Sequence, residues 1–136
     1  MNKIFKLHEK LEEDSFFITN LNLCSLRLSK NANFPLFILV PRINDISEIF
    51  ELSSNDQKLL MSEINEIAKF CKNHFSADKI NIASFGNVVK QLHIHVIARF
   101  TSDYCWPQPI WNCDKAADKY DNEQLAKIIT SFSPHQ

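Results

Sequence analysis

The sequence is short of the features that mark a nucleic-acid-binding, membrane or secreted protein. Its 15 Lys and Arg residues nearly balance 16 Asp and Glu, a formal charge of −1, and basic residues are scattered. That leaves no electrostatic footprint for nucleic acid or an anionic membrane surface. No apolar run approaches the length of a membrane span, and the first residues, MNKIFKLHEKLEED, carry charges where a signal peptide needs an apolar stretch. The expectation is a soluble, cytoplasmic protein. The four cysteines, Cys24, Cys71, Cys105 and Cys113, form no CxxC pair, so reduced thiols are expected rather than a disulfide framework. A zinc site using Cys105 and Cys113 would need an eight-residue separation that matches no usual knuckle. There is no internal repeat, linker or low-complexity tract. Glycine occurs once, at Gly86. At 136 residues the chain is expected to be one domain, residues 1–136, long enough for a hydrophobic core.

What is there centres on residues 86–100, GNVVKQLHIHVIARF. Leu92, Ile94, Val96 and Ala98 alternate with Gln91, His93, His95 and Ile97, the period of a strand with one face in a core. The opposite face then carries two imidazoles ~6–7 Å apart along the strand, from the rise per residue. A polar row on a central strand forgoes apolar burial, and it reads as an active-site strand.

The rest of the chain supplies a frame. Residues 2–13 are short and charged, and a brief helix would pack Phe5, His8 and Leu11 against a sheet. Phe16, Phe17 and Ile18 begin a first strand and residues 23–28 form a second. After a polar turn, FPLFILVPR (residues 34–42) is apolar almost throughout. It is predicted to be buried on both faces at the domain centre, paired as a hairpin with the strand before it and ended by Pro41. Ser54-Asn55-Asp56-Gln57 has the form of a capping box. Behind it Leu60, Ile64, Ile67, Cys71 and Phe75 make one helical stripe, with Glu63, Glu66, Lys69 and Lys72 on the remaining surface. That helix should end near Asn73 or His74. Residues 78–84 alternate again, Ile80 and Ile82 toward the core, Asn81 and Ala83 away from it. If they pair with the histidine strand, Asn81 shares the face of His93 and His95, conditional on register. Residues 101–112 hold both tryptophans and two prolines, which exclude regular structure between them. Large aromatics in such a segment cap a core, pack a partner subunit or line a ligand slot. Residues 121–132 close the chain as a short helix. The fold class is α+β, an antiparallel sheet of about five strands with one main helix and a short C-terminal helix.

Three readings of the histidine row compete. In the first, the rings hydrogen-bond within the sheet and nothing more. In the second they form half of a zinc or iron site. That site lacks a strong third ligand: His8, His74 and His135 lie in segments placed away from the sheet face, and no carboxylate shares it. In the third, an imidazole attacks phosphorus, since neutral imidazole is a good nucleophile near neutral pH and its phosphoryl adduct remains open to water. The second imidazole would then bond a phosphoryl oxygen or protonate the leaving group, and the Gly86–Asn87 loop would bring N–H groups to phosphate. The third reading needs neither metal nor other cofactor.

The motif QLHIHVI resembles the signature H-φ-H-φ-H-φ-φ, with φ apolar, of the histidine-triad (HIT) superfamily of nucleotide hydrolases and transferases. FPLFILVPR is similar to the family's buried strand ending in Val/Ile-Pro, and NIASFGNVVK to its Asn…Gly-x-x-V approach loop. Residues 103–111 resemble a bacterial HIT subgroup with a D-x-x-W-P-x-P-x-W tail, related to diadenosine tetraphosphate hydrolases. The resemblance implies that His93 attacks the α-phosphorus and that His95 contacts phosphate oxygens around the scissile bond. It places Asn81, Gly86, Asn87 and Val88 at the phosphate and Asn31 near the ribose. Gln91 stands where the first histidine of the triad belongs, behind the nucleophile. A glutamine amide donates and accepts but does not titrate, so activity with an altered rate or pH dependence is expected. The implied partner is a small-molecule nucleotide substrate. The implied assembly is a homodimer joined along the sheet, with the tail of one subunit, Trp106 and Trp111 included, near the other's site. The alternative is a nucleotide-binding or protein-interaction module with little turnover.

Overall fold

The structure, a computed structural model, describes residues 4–132. A short helix α1 (Glu9–Asp14) leads into strands β1 (Ser15–Asn20), β2 (Cys24–Ser29) and β3 (Leu36–Pro41). The long helix α2 (Ser54–His74) follows, then β4 (Lys79–Ala83), β5 (Ile94–Arg99) and the C-terminal helix α3 (Asn122–Ser131). The five strands form one antiparallel sheet in the order β1-β2-β3-β5-β4. The α+β architecture read from the sequence is therefore the one observed, and the apolar run of β3 lies at the sheet centre, buried along its whole length. No helix among the described residues is long and apolar enough to cross a membrane.

Both faces of the sheet are covered, by different means. On one, Leu26, Leu28, Phe37, Leu39, Ile94, Val96 and Ala98 meet Leu60, Ile64, Ile67 and Cys71 of α2 and Ile128 of α3. Phe37 sits among Phe70, Phe75 and Phe132 with ring centroids 5.8–6.4 Å away. The other face has a smaller core built on Leu36, Ile38, Val40 and Ile97, closed by Leu11, Phe34, Val89 and Cys105. Period-two alternation sends neighbours on β5 to opposite cores, and this is what frees one face for the histidines.

Three local expectations need correction. Ile82, expected toward the core, is 52% exposed on the edge strand β4. The capping residue of α2 is Ser53, not Ser54: its hydroxyl accepts from the N–H of Asp56 at 3.1 Å. Leu52, just before it, is buried in the main core, which fixes where the helix begins. Glu63, expected on the helix surface, is only 5% exposed. Its two carboxylate oxygens accept from the N–H groups of Leu23 and Cys24 at 2.8 and 2.9 Å. Those donors, at the start of β2, would otherwise be buried without partners. Glu63 thus ties the helix to the sheet.

Candidate active site

His95 lies within β5, opposite Ile38 of β3 and Ala83 of β4. His93 stands just before the strand. The two rings face each other edge-on with centroids 5.0 Å apart. His93 is 7% exposed, and its Nδ1 is 2.7 Å from the main-chain oxygen of Gln91. A carbonyl oxygen only accepts, so the ring must carry its proton on Nδ1, which leaves the Nε2 lone pair as the free end. The Ser84 hydroxyl donates to the carbonyl of His93 at 3.0 Å and ties β4's end to the approach of β5. His95 is held by packing rather than by bonds. The Trp111 ring centroid lies 5.1 Å from it and that of Phe85 6.3 Å, and its buried Nδ1 has no partner among the described residues. Burial, and secondarily the neighbouring His93, push its pKa down to about 4, so the ring is neutral at pH 7.

Both histidines line a cavity of about 560 Å³. Its walls come from the loop Phe85, Gly86, Asn87, Val88 and Val89, from Leu36 and Ile38 of β3, from Trp111, and from Lys10, Leu11 and Asp14 of α1 with Ser29. Gly86 has φ +74°, and a Cβ there would meet nothing nearer than the Val89 oxygen at 3.6 Å. The glycine is needed for its left-handed backbone, not for space. The N–H groups of Asn87, Val88 and Val89 donate to no protein acceptor among the described residues. Unclaimed N–H groups beside a cavity are a suitable cradle for an anion.

The tail closes the site through a buried ion pair. Arg99, 1% exposed in its side chain, makes a two-pronged contact to Asp103 with bonds of 2.9 and 3.1 Å. The same guanidinium donates to the Asn81 side-chain oxygen and to the Gln108 carbonyl and lies over the rings of Phe34 and Trp106. Although burial pushes the Asp103 pKa up, the bonds from Arg99 and from the N–H groups of Phe100 and Cys105 hold it below the usual carboxylate value. Cys105 and Cys113 are joined in a disulfide, which corrects the expectation of four reduced thiols. It closes the tail across the segment that carries Trp111. Cys24 and Cys71 remain free and buried. Burial raises both thiol pKa values, that of Cys71 to about 12, so neither is a reactive thiolate.

Of the residues singled out in the sequence, the cavity brings together His93, His95, Gly86, Asn87 and Val88. Three others lie elsewhere. Asn81 shares the face as its register required, opposite Ile97, but its side-chain oxygen is taken by Arg99. Asn31 accepts from the N–H groups of Asn33 and Asp118, tying the β2–β3 turn to the tail. The Gln91 amide bonds the backbone of the N-terminal segment and does not line this cavity. Trp111 packs on the His95 of its own chain, whereas the resemblance had placed the tail near the partner's site. The α1 wall, Ser29 and Arg99 went unrecognised. Arg99 had a signal, being the next residue after Ile97 on the histidine face, whereas nothing local marks Lys10 or Asp14. Among the described residues, no three His, Cys, Asp or Glu side chains converge as a metal site would need.

The HIT domain family model matches residues 10–102. Three solved structures are similar over nearly their whole length. A histidine triad protein from Bradyrhizobium japonicum is 38% identical with a TM-score of 0.91, covering 95% of this chain and 96% of that one. A histidine triad (HIT) protein from Sinorhizobium meliloti is 43% identical with a TM-score of 0.87, covering 93% and 96%. A histidine triad protein from Marinobacter aquaeolei is 36% identical with a TM-score of 0.89, covering 97% and 96%. No curated protein sequence matches the chain. With more than half of its residues inside the family model and three relatives above 30% identity, the chain belongs to the HIT domain family.

Proposed function

We propose that this protein is a nucleotidyl hydrolase or transferase that acts at the α-phosphate of a nucleoside polyphosphate, dinucleoside polyphosphate or nucleoside phosphoramidate, through a nucleotidyl-His93 intermediate. The observation that carries the reading is the fixed tautomer of His93 in a cavity of nucleotide size. A nucleophile must present a lone pair in line with the bond it breaks, and the Gln91 carbonyl leaves that lone pair on Nε2. Attack at phosphorus forms an N–P bond and breaks the bond to the leaving group, which departs with the electron pair. The ring, still protonated at Nδ1, then bears positive charge that the Gln91 carbonyl stabilises. Water attacks the same phosphorus, the N–P bond breaks, and a nucleoside monophosphate and a proton are released.

His95 is neutral in the free protein, so it first serves as a hydrogen-bonding ring toward a phosphoryl oxygen. An anionic phosphate beside it opposes the effect of burial and raises its pKa, which equips it to carry a proton to the leaving group. The loop N–H groups at Asn87 and Val88, unclaimed by other protein groups among the described residues, would serve as donors for the developing charge. The Asp103…Trp111 tail motif favours a diadenosine tetraphosphate hydrolase-like subgroup, whereas the glutamine at 91 favours the alternative of a binding module with little turnover. We further propose that residues 1–136 form one domain, that the subunit pairs as a homodimer along its sheet, and that it works in the cytoplasm.

The test is incubation with an adenosine polyphosphate and with an adenosine phosphoramidate, following release of monophosphate. His93→Ala should lower turnover by at least about a thousandfold while nucleotide binding persists. Turnover at the wild-type rate in that variant would reject the mechanism. Binding without turnover in the wild-type protein would favour a nucleotide-binding module, a reading the neutral, unpartnered His95 also fits.

A further inference from the structure

A second open groove, about 860 Å³, lies apart from His93 and His95. It runs between the N-terminal arm, the loop around Asn44 and Gln91. The arm before α1 is not assigned to any strand, yet its main chain is bonded as a strand's would be. The Asn44 side chain donates to the carbonyl of Ile4 and accepts from the N–H of Lys6, each at 3.0 Å. The Gln91 side chain donates to the carbonyl of Lys6 at 2.9 Å and accepts from the N–H of His8 at 2.8 Å. Two amide side chains thus take the alternate donors and acceptors that a neighbouring strand would otherwise satisfy. Their own loops are joined by the Leu92 N–H, which donates to Ile46.

What the arm holds is the wall of the other cavity. His8 caps α1, its Nδ1 accepting from the N–H of Lys10. At the helix's other end the Ser15 hydroxyl donates to the Leu11 carbonyl and accepts from Arg27. Between those anchors Lys10, Leu11 and Asp14 face the histidine cavity. On the sheet, Ser29 on β2 marks the same end of that cavity. It is two strands from β5, roughly 10 Å across the sheet at the usual spacing of strands, and the register sets it level with Ile97. This wall therefore stands well away from His93, as the nucleoside end of a bound nucleotide stands away from its reacting phosphorus.

We propose that Gln91 is a positioning residue: with Asn44 it clamps the N-terminal arm, and through the arm it fixes α1 as the wall that binds the nucleoside end of the substrate. The proposal rests on the nucleotide-processing reading of the histidine cavity. It gives Gln91 a part in affinity and none in proton transfer, since both ends of its amide are already bonded to backbone.

The experiment compares wild type with Gln91→Leu, Asn44→Leu and a chain lacking residues 1–8. Hydrogen exchange at the His8 and Lys10 amides reads the clamp directly, and calorimetry with adenosine monophosphate reads the wall. Gln91→Leu should speed exchange at His8 and weaken binding about tenfold, on the order expected for losing two hydrogen bonds. Asn44→Leu should act in the same direction although its side chain does not line the histidine cavity, and in the shortened chain it too should add nothing, which separates an effect through the arm from one through the Leu92–Ile46 bond. In the shortened chain, Gln91→Leu should add nothing. With a substrate, the loss should fall on KM, leaving the shape of the pH–rate profile unchanged. Unchanged exchange, an equal effect of Gln91→Leu with the arm removed, or a changed pH profile overturns the proposal. Wild-type protein that fails to bind the monophosphate also overturns it, whereas binding without turnover overturns only the catalytic reading.

Discussion

The two faces of one sheet, crossed by the same strands, are covered by different kinds of structure. The helix-covered face is sealed by the long regular stripe of α2 and by α3, and a buried carboxylate there, Glu63, accepts from two backbone N–H groups. The histidine face is covered by an arm, a glycine loop and a tail, and each is held by a few specific polar contacts: Gln91 and Asn44 for the arm, Ser84 at the loop, Arg99 with Asp103 for the tail. Regular helix packing leaves no room for a substrate. Irregular segments pinned at single points do leave room, and the small core under them, around Ile97 and Val40, keeps the site on a rigid floor. The difference teaches that one side of β5 is sealed by regular packing, whereas the other is left with a cavity bounded by individually pinned segments.

If that division is right, damage to either side should have a distinct signature. Arg99→Ala should be the most disruptive single change. It strands Asp103 as a buried unpaired charge and frees the Gln108 carbonyl, a loss of about 3–5 kcal/mol. Urea denaturation should show the loss, and turnover should fall with it because Trp111 is carried by the same tail. Ile67→Ala, on the helix-covered face, removes a fully buried side chain and should cost about 3 kcal/mol. Here the folded protein should keep its turnover within about twofold. A large loss of activity at undiminished structure would erase the proposed separation of the faces.

The smallest of the three effects is a pH dependence. The His95 pKa lies near 4 when folded and near its ordinary 6.5 when unfolded, so between those values the unfolded chain binds more protons. Stability therefore rises with pH through that window and is lost on acidification through it, by on the order of 2 kcal/mol after allowing for partial exposure. Denaturation at pH 4.5 and pH 7 should show the slope in wild type, and His95→Phe should flatten it. The same slope in both proteins would mean that His95 is not the buried neutral ring.

What could be read from the residues alone was whatever has a period. The strands around β3, the stripe from Leu60 to Cys71 and the facing of Ile94 and Val96 all follow from repeats of two or 3.6. The QLHIHVI motif put both histidines on one face, and both line one cavity, although His93 stands just before the strand rather than on it. Side-chain partners far away in sequence have no such period. Glu63 looked like one more surface charge on α2 because the N–H groups it serves lie 39 and 40 residues earlier. Gln91 was assigned to the chemistry by its neighbours, although its bonds run to residues 83 and 85 positions away. The Cys105–Cys113 disulfide was missed because composition argues about the compartment, whereas the two prolines between the cysteines bend the tail back on itself.

The central claim is that His93 forms a covalent bond to phosphorus. The most direct measurement is mass spectrometry of the protein quenched with acid-free denaturant during turnover of an adenosine polyphosphate, followed by peptide mapping. The account predicts a mass gain of one adenylyl group, located on the peptide containing His93 and lost in His93→Ala. Monophosphate production with no adduct at any time point, or an adduct on another side chain, would contradict it.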